Sequence, residues 1–305
     1  MTVAKVTTDS YGNLGRKGTR KDNEFVAFDG VILTTPDFTN TIANIALEAT
    51  WSTGIKNGTV FPLTGMDGYE VQSSEDTIYE SPAGLRKLLK RGKSRYMLRF
   101  DIPFDVHRTL MTYYNNADLT AWFLQDGKIL FYNDGGTAKG FSLSMLNIGR
   151  IADVPEDGST PAFTPIYMDL EDYRQKDVYG ELIEPSWNVR DLNPLTDVVL
   201  EQVSASATSV VIRVYAADGY DSDGAANKVG IKGIASTVGG DDDWSYSVSG
   251  SVSGITDNAD GTYTFAGSGI ASDDTIALKT PANMTESTFQ DLRINGTNTV
   301  TLVVT

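Results

Sequence analysis

The 305-residue sequence has no cysteine and a single histidine, His107. The first absence excludes disulfides, thiolate metal sites and cysteine nucleophiles, and the second excludes any centre that needs two imidazoles. Positive charge is also scarce: 25 Lys and Arg stand against 40 Asp and Glu, a formal net charge of -15. Affinity for nucleic acid comes from cationic side chains that release counterions, so this balance argues against DNA or RNA as a tightly bound partner. No apolar run approaches the roughly 18 residues that span a bilayer. The opening MTVAKVTTDSYG lacks both the charged lead and the apolar run of a secretory signal, and synthesis as a soluble cytoplasmic product with no membrane insertion is expected.

What is present describes a folded chain. Hydrophobic residues make up 40% and aromatics 10%, ordinary for a globular protein, and at about 150 residues per domain the length predicts two domains. Pro185 and Pro194 interrupt regular structure, and the composition shifts after them to short runs of Ser, Thr, Gly, Val and Asp. We expect a β-rich assembly domain over residues 1–190 and a second domain over residues 196–305. The second carries only five basic residues, Arg213, Lys228, Lys232, Lys279 and Arg293, and is the more acidic per residue.

Period-two patterning dominates both parts. Residues 119–125 and 128–132 flank Asp126-Gly127, a two-residue turn between β-rich runs, and read as a hairpin. Residues 95–104, 140–146 and 163–170 read as further strands, as do 209–215, 245–249, 263–265 and 299–304. Helical spacing appears at residues 84–90, behind Pro82, and at 104–114. The expected fold class is mainly β: an N-terminal β-barrel or sandwich with one or two short flanking helices, followed by a C-terminal β-sandwich. The polar, Gly-rich residues 10–23, with Arg16, Lys17, Arg20 and Lys21, suit a reaching arm or loop.

Chemistry is sparse. Gly250-Ser251-Val252-Ser253-Gly254 places Val where a nucleophile elbow needs Ser. Gly92-Lys93-Ser94 has Lys87 where a phosphate-binding loop needs its first Gly. Asp218, Asp221 and Asp223 before Gly224 are weak calcium candidates, because the loop pattern then puts Gly230 where a bidentate Glu belongs. The run Asp241-Asp242-Asp243 reads as an acidic loop entering a strand. Trp51, Trp122, Trp187 and Trp244 read as core anchors rather than a sugar-stacking platform, and His107 has no companion ligand. No enzyme, cofactor or metal site is expected.

One feature stands out. Between residues 81 and 100 lie Arg86, Lys87, Lys90, Arg91, Lys93, Arg95 and Arg99 with no acidic residue among them. Such an island in an acidic protein is a solvated face, a surface that docks on the acidic surface of another copy, since opposite patches on one molecule drive head-to-tail association into rings or filaments, or, third, a DNA-facing surface.

Asp257-Asn258-Ala259-Asp260-Gly261-Thr262-Tyr263-Thr264-Phe265 resembles the D-x-x-D-G-T-Y hairpin of bacterial and viral immunoglobulin-like domains. The whole layout, a β-rich first domain with an immunoglobulin-like appendage, resembles the major tail tube proteins of long-tailed bacteriophages. That resemblance implies a structural virion protein of the tail, self-assembling into stacked hexameric rings through which DNA passes without specific binding, with other virion proteins as neighbours. It also implies an inner barrel shared between copies, for which the strands holding Trp122, Phe123, Ile129, Phe131, Ile166 and Met168 are the candidates. A head decoration, collar or fibre-attachment protein shares this composition. A glycan-binding adhesin or secreted carbohydrate-active protein, built on Trp244 and the Asp loops, is the alternative of another class.

Overall fold

The computed structural model describes residues 27–63, 65–102, 107, 108, 110, 111, 118–152, 162–220, 225–238, 242–296 and 299–304. The chain divides into two compact units that change over between Leu192 and Asn193, with Ile55–Asn57 grouped in the second. Both are built mainly from antiparallel strands, the exception being the short parallel pair Thr196–Asp197 and Ile294–Asn295, and among the described residues no sheet closes into a barrel. Residues 10–23 lie outside the described set, as does most of the helix expected at 104–114.

The first unit contains β1 (Gly30–Thr34), β2 (Asn40–Thr41), β3 (Val60–Leu63), β4 (Met66–Val71), β5 (Thr77–Glu80), β6 (Arg86–Lys90) and β7 (Arg95–Phe100). It continues with β8 (Thr120–Gln125), β9 (Lys128–Asp134), β10 (Thr137–Lys139), β11 (Phe141–Ile148), β12 (Thr164–Leu170) and β13 (Gly180–Ile183). Its helices are α1 (Ile42–Ile45), α2 (Glu48–Lys56), whose last two residues are grouped with the second unit, and α3 (Tyr173–Asp177). One path of paired strands runs β3, β1, β8, β11, β12, β7, β4, while β9 extends from β8 and carries β10 and β13.

The β8-β9 hairpin forms where the Asp-Gly pair predicts. Asp126 at φ 49° and Gly127 at φ 72° both adopt left-handed backbone, the requirement of a type I′ turn. The two strands pair only near that turn and then splay. Ala121 and Thr120 of β8 take Phe141 and Ser142 of β11, while Tyr132, Asn133 and Asp134 of β9 take Lys139, Ala138 and Thr137 of β10. β10 and β11 therefore form one strand that enters the fork and bends at Gly140. A Cβ there would lie 2.4 Å from Thr120 Oγ1 and 2.8 Å from Trp122 Nε1, so only glycine fits the crossing.

Both faces of β1 and β8 are buried. Val31, Leu33, Ala121 and Phe123 enter a core shared with Leu98, Phe100, Ile166 and Met168. On the opposite face Trp122 meets Trp51 of α2 edge-on, with ring centroids 5.1 Å apart. Glu48 and Lys56 sit at the ends of α2 where the helix dipole favours them. This helix was not expected, because Thr, Trp and Gly are middling or poor helix formers; burial of Trp51 outweighs propensity.

The expected helix at 84–90 is instead strand β6, paired antiparallel with β5. Leu85, Leu88 and Leu89 have helical spacing, but a helix would stack Arg86 on Lys90 and Lys87 on Arg91, like charges four residues apart. Pro82 and Gly84 make a turn instead, with Gly84 at φ 79°.

The second unit contains β14 (Thr196–Asp197), β15 (Val199–Ala205), β16 (Ser209–Tyr220), β17 (Ala226–Gly230), β18 (Trp244–Ser247) and β19 (Ser251–Asp257). After these come β20 (Thr262–Ser268), β21 (Thr275–Leu278), α4 (Glu286–Leu292), β22 (Ile294–Asn295) and β23 (Thr299–Thr301). One sheet is ordered β15-β16-β20-β19, with β17 added to β16, and the other β18-β21-β23. In chain order these are strands A, B, E, D and C, F, G of an immunoglobulin constant-type sandwich. Trp244, on the strand that holds the buried tryptophan of that fold, packs against Tyr263 at 5.0 Å and Phe265 at 4.9 Å. In the turn between β19 and β20 the left-handed residues are Ala259 and Gly261. Asp260 caps the next strand, accepting from the Thr262 amide at 2.8 Å and its hydroxyl at 2.6 Å.

Candidate assembly interface

The seven basic residues divide into two groups. β4 and β7 pair at the end of the main sheet, and both continue outward. The Gln72 amide donates to Arg95 O at 2.9 Å and Ser74 to Lys93 O at 3.1 Å, while Gly92 N–H donates to Asp76 Oδ1 at 2.8 Å. β5 and β6 then close the ribbon as a two-stranded sheet of their own. At about 3.3 Å per residue, the stretch from Gln72 to Glu80 reaches roughly 25 Å along the ribbon. The stem is tight: a Cβ on Gly92 would fall 1.7 Å from Ser74 O.

The turn locks the tip. Gly84 N–H donates to Ser81 O at 2.8 Å, and Leu85 N–H reaches the Ser81 hydroxyl at 3.1 Å. Cross-strand neighbours are Ile78 with Leu88, Tyr79 with Lys87, and Glu80 with Arg86, the last an exposed ion pair of 3.1 Å. Nothing among the described residues covers either face. Leu85 is 74% exposed, Leu89 61%, Ile78 51%, Tyr79 50% and Leu88 44%. Apolar side chains thus alternate with Arg86, Lys87 and Lys90 on a ribbon with no core of its own.

Lys93, Arg95 and Arg99 belong to the root and are spent within the chain. Arg95 grips Asp169 of β12 with two bonds of 2.6 and 2.9 Å. That carboxylate is buried, and its hydrogen bonds and charge hold the Arg95 guanidinium above the usual arginine range. Arg99 lies 3.7 Å from Glu70 and over the Phe163 ring at 5.0 Å. Lys93 reaches the Ser144 hydroxyl at 3.4 Å, and Arg91 stacks on Tyr173 at 5.3 Å. Lys87 and Lys90 form no ion pair among the described residues.

The strands expected to pair across copies are not open to it. Trp122, Phe123, Ile129, Phe131, Ile166 and Met168 are all buried within the protomer. β8 is bonded on one side to β1 and on the other to β9 and β11, and β12 lies between β11 and β7. Their edges are filled, whereas β2, β3, β4 and β13 each keep one edge without a strand among the described residues.

The remaining candidates resolve as structural or lie out of view. Asp221 and Asp223 lie outside the described residues, as does the Asp218 side chain, and no group of three or more His, Asp or Glu set to hold a metal occurs among the described residues. Asp243 is buried and accepts from the Thr285 amide at 2.6 Å and its hydroxyl at 3.1 Å; Asp242 pairs with Lys279 at 3.1 Å. Trp51, Trp122 and Trp244 are buried, and Trp187 is half-buried with Nε1 donating to Ala46 O, which leaves no exposed tryptophan platform for a sugar. His107 is buried with Nδ1 3.0 Å from the Thr164 hydroxyl.

No protein-family model matches the chain, and no curated protein matches it in sequence.

Proposed function

We propose that this chain is a self-assembling structural protein of the phage tail-tube type, stacking as rings around a passage for DNA. The observation that carries the reading is the arm of residues 72–94. An isolated two-stranded hairpin is marginally stable in water, and one that displays Ile78, Tyr79, Leu85, Leu88 and Leu89 calls for a partner surface. A ribbon on one side of the molecule that docks on a different surface of the next copy makes a heterologous contact, which closes into rings or continues into filaments. The net charge of -15 suits a conduit that must not retain a polyanion. An immunoglobulin-like module joined to such a domain completes the layout to which the resemblance points.

Electron microscopy of the concentrated protein tests this directly, with rings or tubes as the expected result. Replacing residues 74–93 with an Asn-Gly turn is expected to leave folded protein that no longer assembles. An intact chain that stays monomeric at high concentration overturns the proposal.

A further inference from the structure

We propose that the arm of one copy docks along the open edge of β13 in a second copy and adds a strand there; this rests on the assembly reading above. β13 is hydrogen-bonded on one side to β9, from Gly180 opposite Tyr132 to Ile183 opposite Ile129, and no described backbone group pairs with its other side. β5 and β6 each have one filled edge and one open edge. Joining the two open edges satisfies both rows of amides and carbonyls.

The side chains around β13 complement the arm. Val178 and Tyr179, just before the strand, are about half exposed and offer apolar surface to Leu88 and Leu89. Residues 171–184 hold Glu171, Asp172, Asp177, Glu181 and Glu184 against only Arg174 and Lys176. Both cations are already engaged, Arg174 with Asp172 at 2.8 Å and Lys176 with Asp177 at 3.0 Å. Glu171, Glu181 and Glu184 form no ion pair among the described residues; Glu171 and Glu184 are exposed and Glu181 is half-buried, and together they are the partners for Lys87 and Lys90. The other open edges of the first unit fit less well. β2 is only two residues long, β3 contains Pro62, which has no N–H to donate, and β4 is the arm's own strand, its Glu70 held by Arg99.

The absence of cysteine makes cross-linking a clean test. Leu88→Cys on the arm and Val178→Cys beside the edge are made in separate chains, mixed and oxidised, with Ser253→Cys on β19 as the comparison and circular dichroism to confirm folding. The expected result is disulfide-linked dimers from the Leu88→Cys and Val178→Cys mixture and none from the Leu88→Cys and Ser253→Cys mixture. Where a cysteine itself blocks assembly, charge exchange decides: Lys87→Glu with Lys90→Glu weakens assembly, and Glu181→Lys with Glu184→Lys in the same chain restores it. Rings that form without the Val178 cross-link, or no restoration by the exchange, overturn the docking site while leaving the assembly reading intact. Wild-type protein that never assembles overturns both.

Discussion

Replacing Leu85, Leu88 and Leu89 together with serine separates an assembly role for the arm from a structural one. Their exposed fractions amount to a little under two leucine side chains of surface that a neighbour can cover. At roughly 2 kcal/mol per buried leucine, the substitution removes about 3 to 4 kcal/mol from each docked arm, or roughly 300-fold in the association constant. The same exposure predicts almost no effect on the protomer, since surface changes usually lie within about 0.5 kcal/mol. Sedimentation velocity over a concentration series reads the first quantity, and thermal unfolding at low concentration reads the second. Salt distinguishes the forces: the contribution of Lys87 and Lys90 is screened over about 10 Å at 0.1 M, whereas leucine burial persists. Unchanged sedimentation refutes the reasoning, and so does a fall of many degrees in the midpoint, which would mean that the leucines pack within the protomer.

Three further outcomes test the packing. Tyr263→Phe removes the hydroxyl that donates to Ile231 O at 3.1 Å and accepts from Ile234 N–H at 3.2 Å, and should cost roughly 2 kcal/mol in chemical denaturation followed by tryptophan fluorescence. Burial pushes the Tyr263 phenol up to about 12, so its stabilisation is full below about pH 10 and is lost as pH rises through 12; the gap between wild type and Tyr263→Phe should narrow across that window. Asp274 is held below the usual carboxylate range by the Ala271 amide first and then by the hydroxyl and amide of Ser249. Its contribution is therefore present above about pH 4 and lost as pH falls through the lowered value, so Asp274→Asn should be less stable than wild type at neutral pH and converge with it in acid. Gly140→Ala drives a methyl into Thr120 and Trp122 and should destabilise by about 1 to 3 kcal/mol in thermal unfolding, while an unchanged midpoint would show that the fork can open without cost.

Local chemistry was legible in the residues themselves. Asp126-Gly127 announces its turn because a type I′ geometry needs two left-handed residues, and the β-rich runs on either side read as the two strands it joins. The β-sandwich of the second unit follows from the same short-range signals: period two, Gly and Asp punctuation, and the residue 257–265 hairpin. The positive island was visible as composition. Its shape was not, because Leu85, Leu88 and Leu89 satisfy a helical period as well as a ribbon, and the choice depends on pairing with β5 across the Gly84 turn.

What the tertiary structure alone decided is which groups have partners. Arg95 and Arg99 look equivalent to Lys87 and Lys90 in the chain, yet β12 brings Asp169 to Arg95 and β4 brings Glu70 to Arg99. Trp122 reads as a core anchor and Ile166 as part of an alternating strand, but only the fold shows that β1 and β7, distant in sequence, fill the edges beside them and that α2 covers the face of Trp122. Exposure, edge pairing and charge neutralisation depend on residues brought together from far along the chain, whereas turn type and periodicity depend on neighbours a few positions away. The first are properties of the fold, and only the second are written locally.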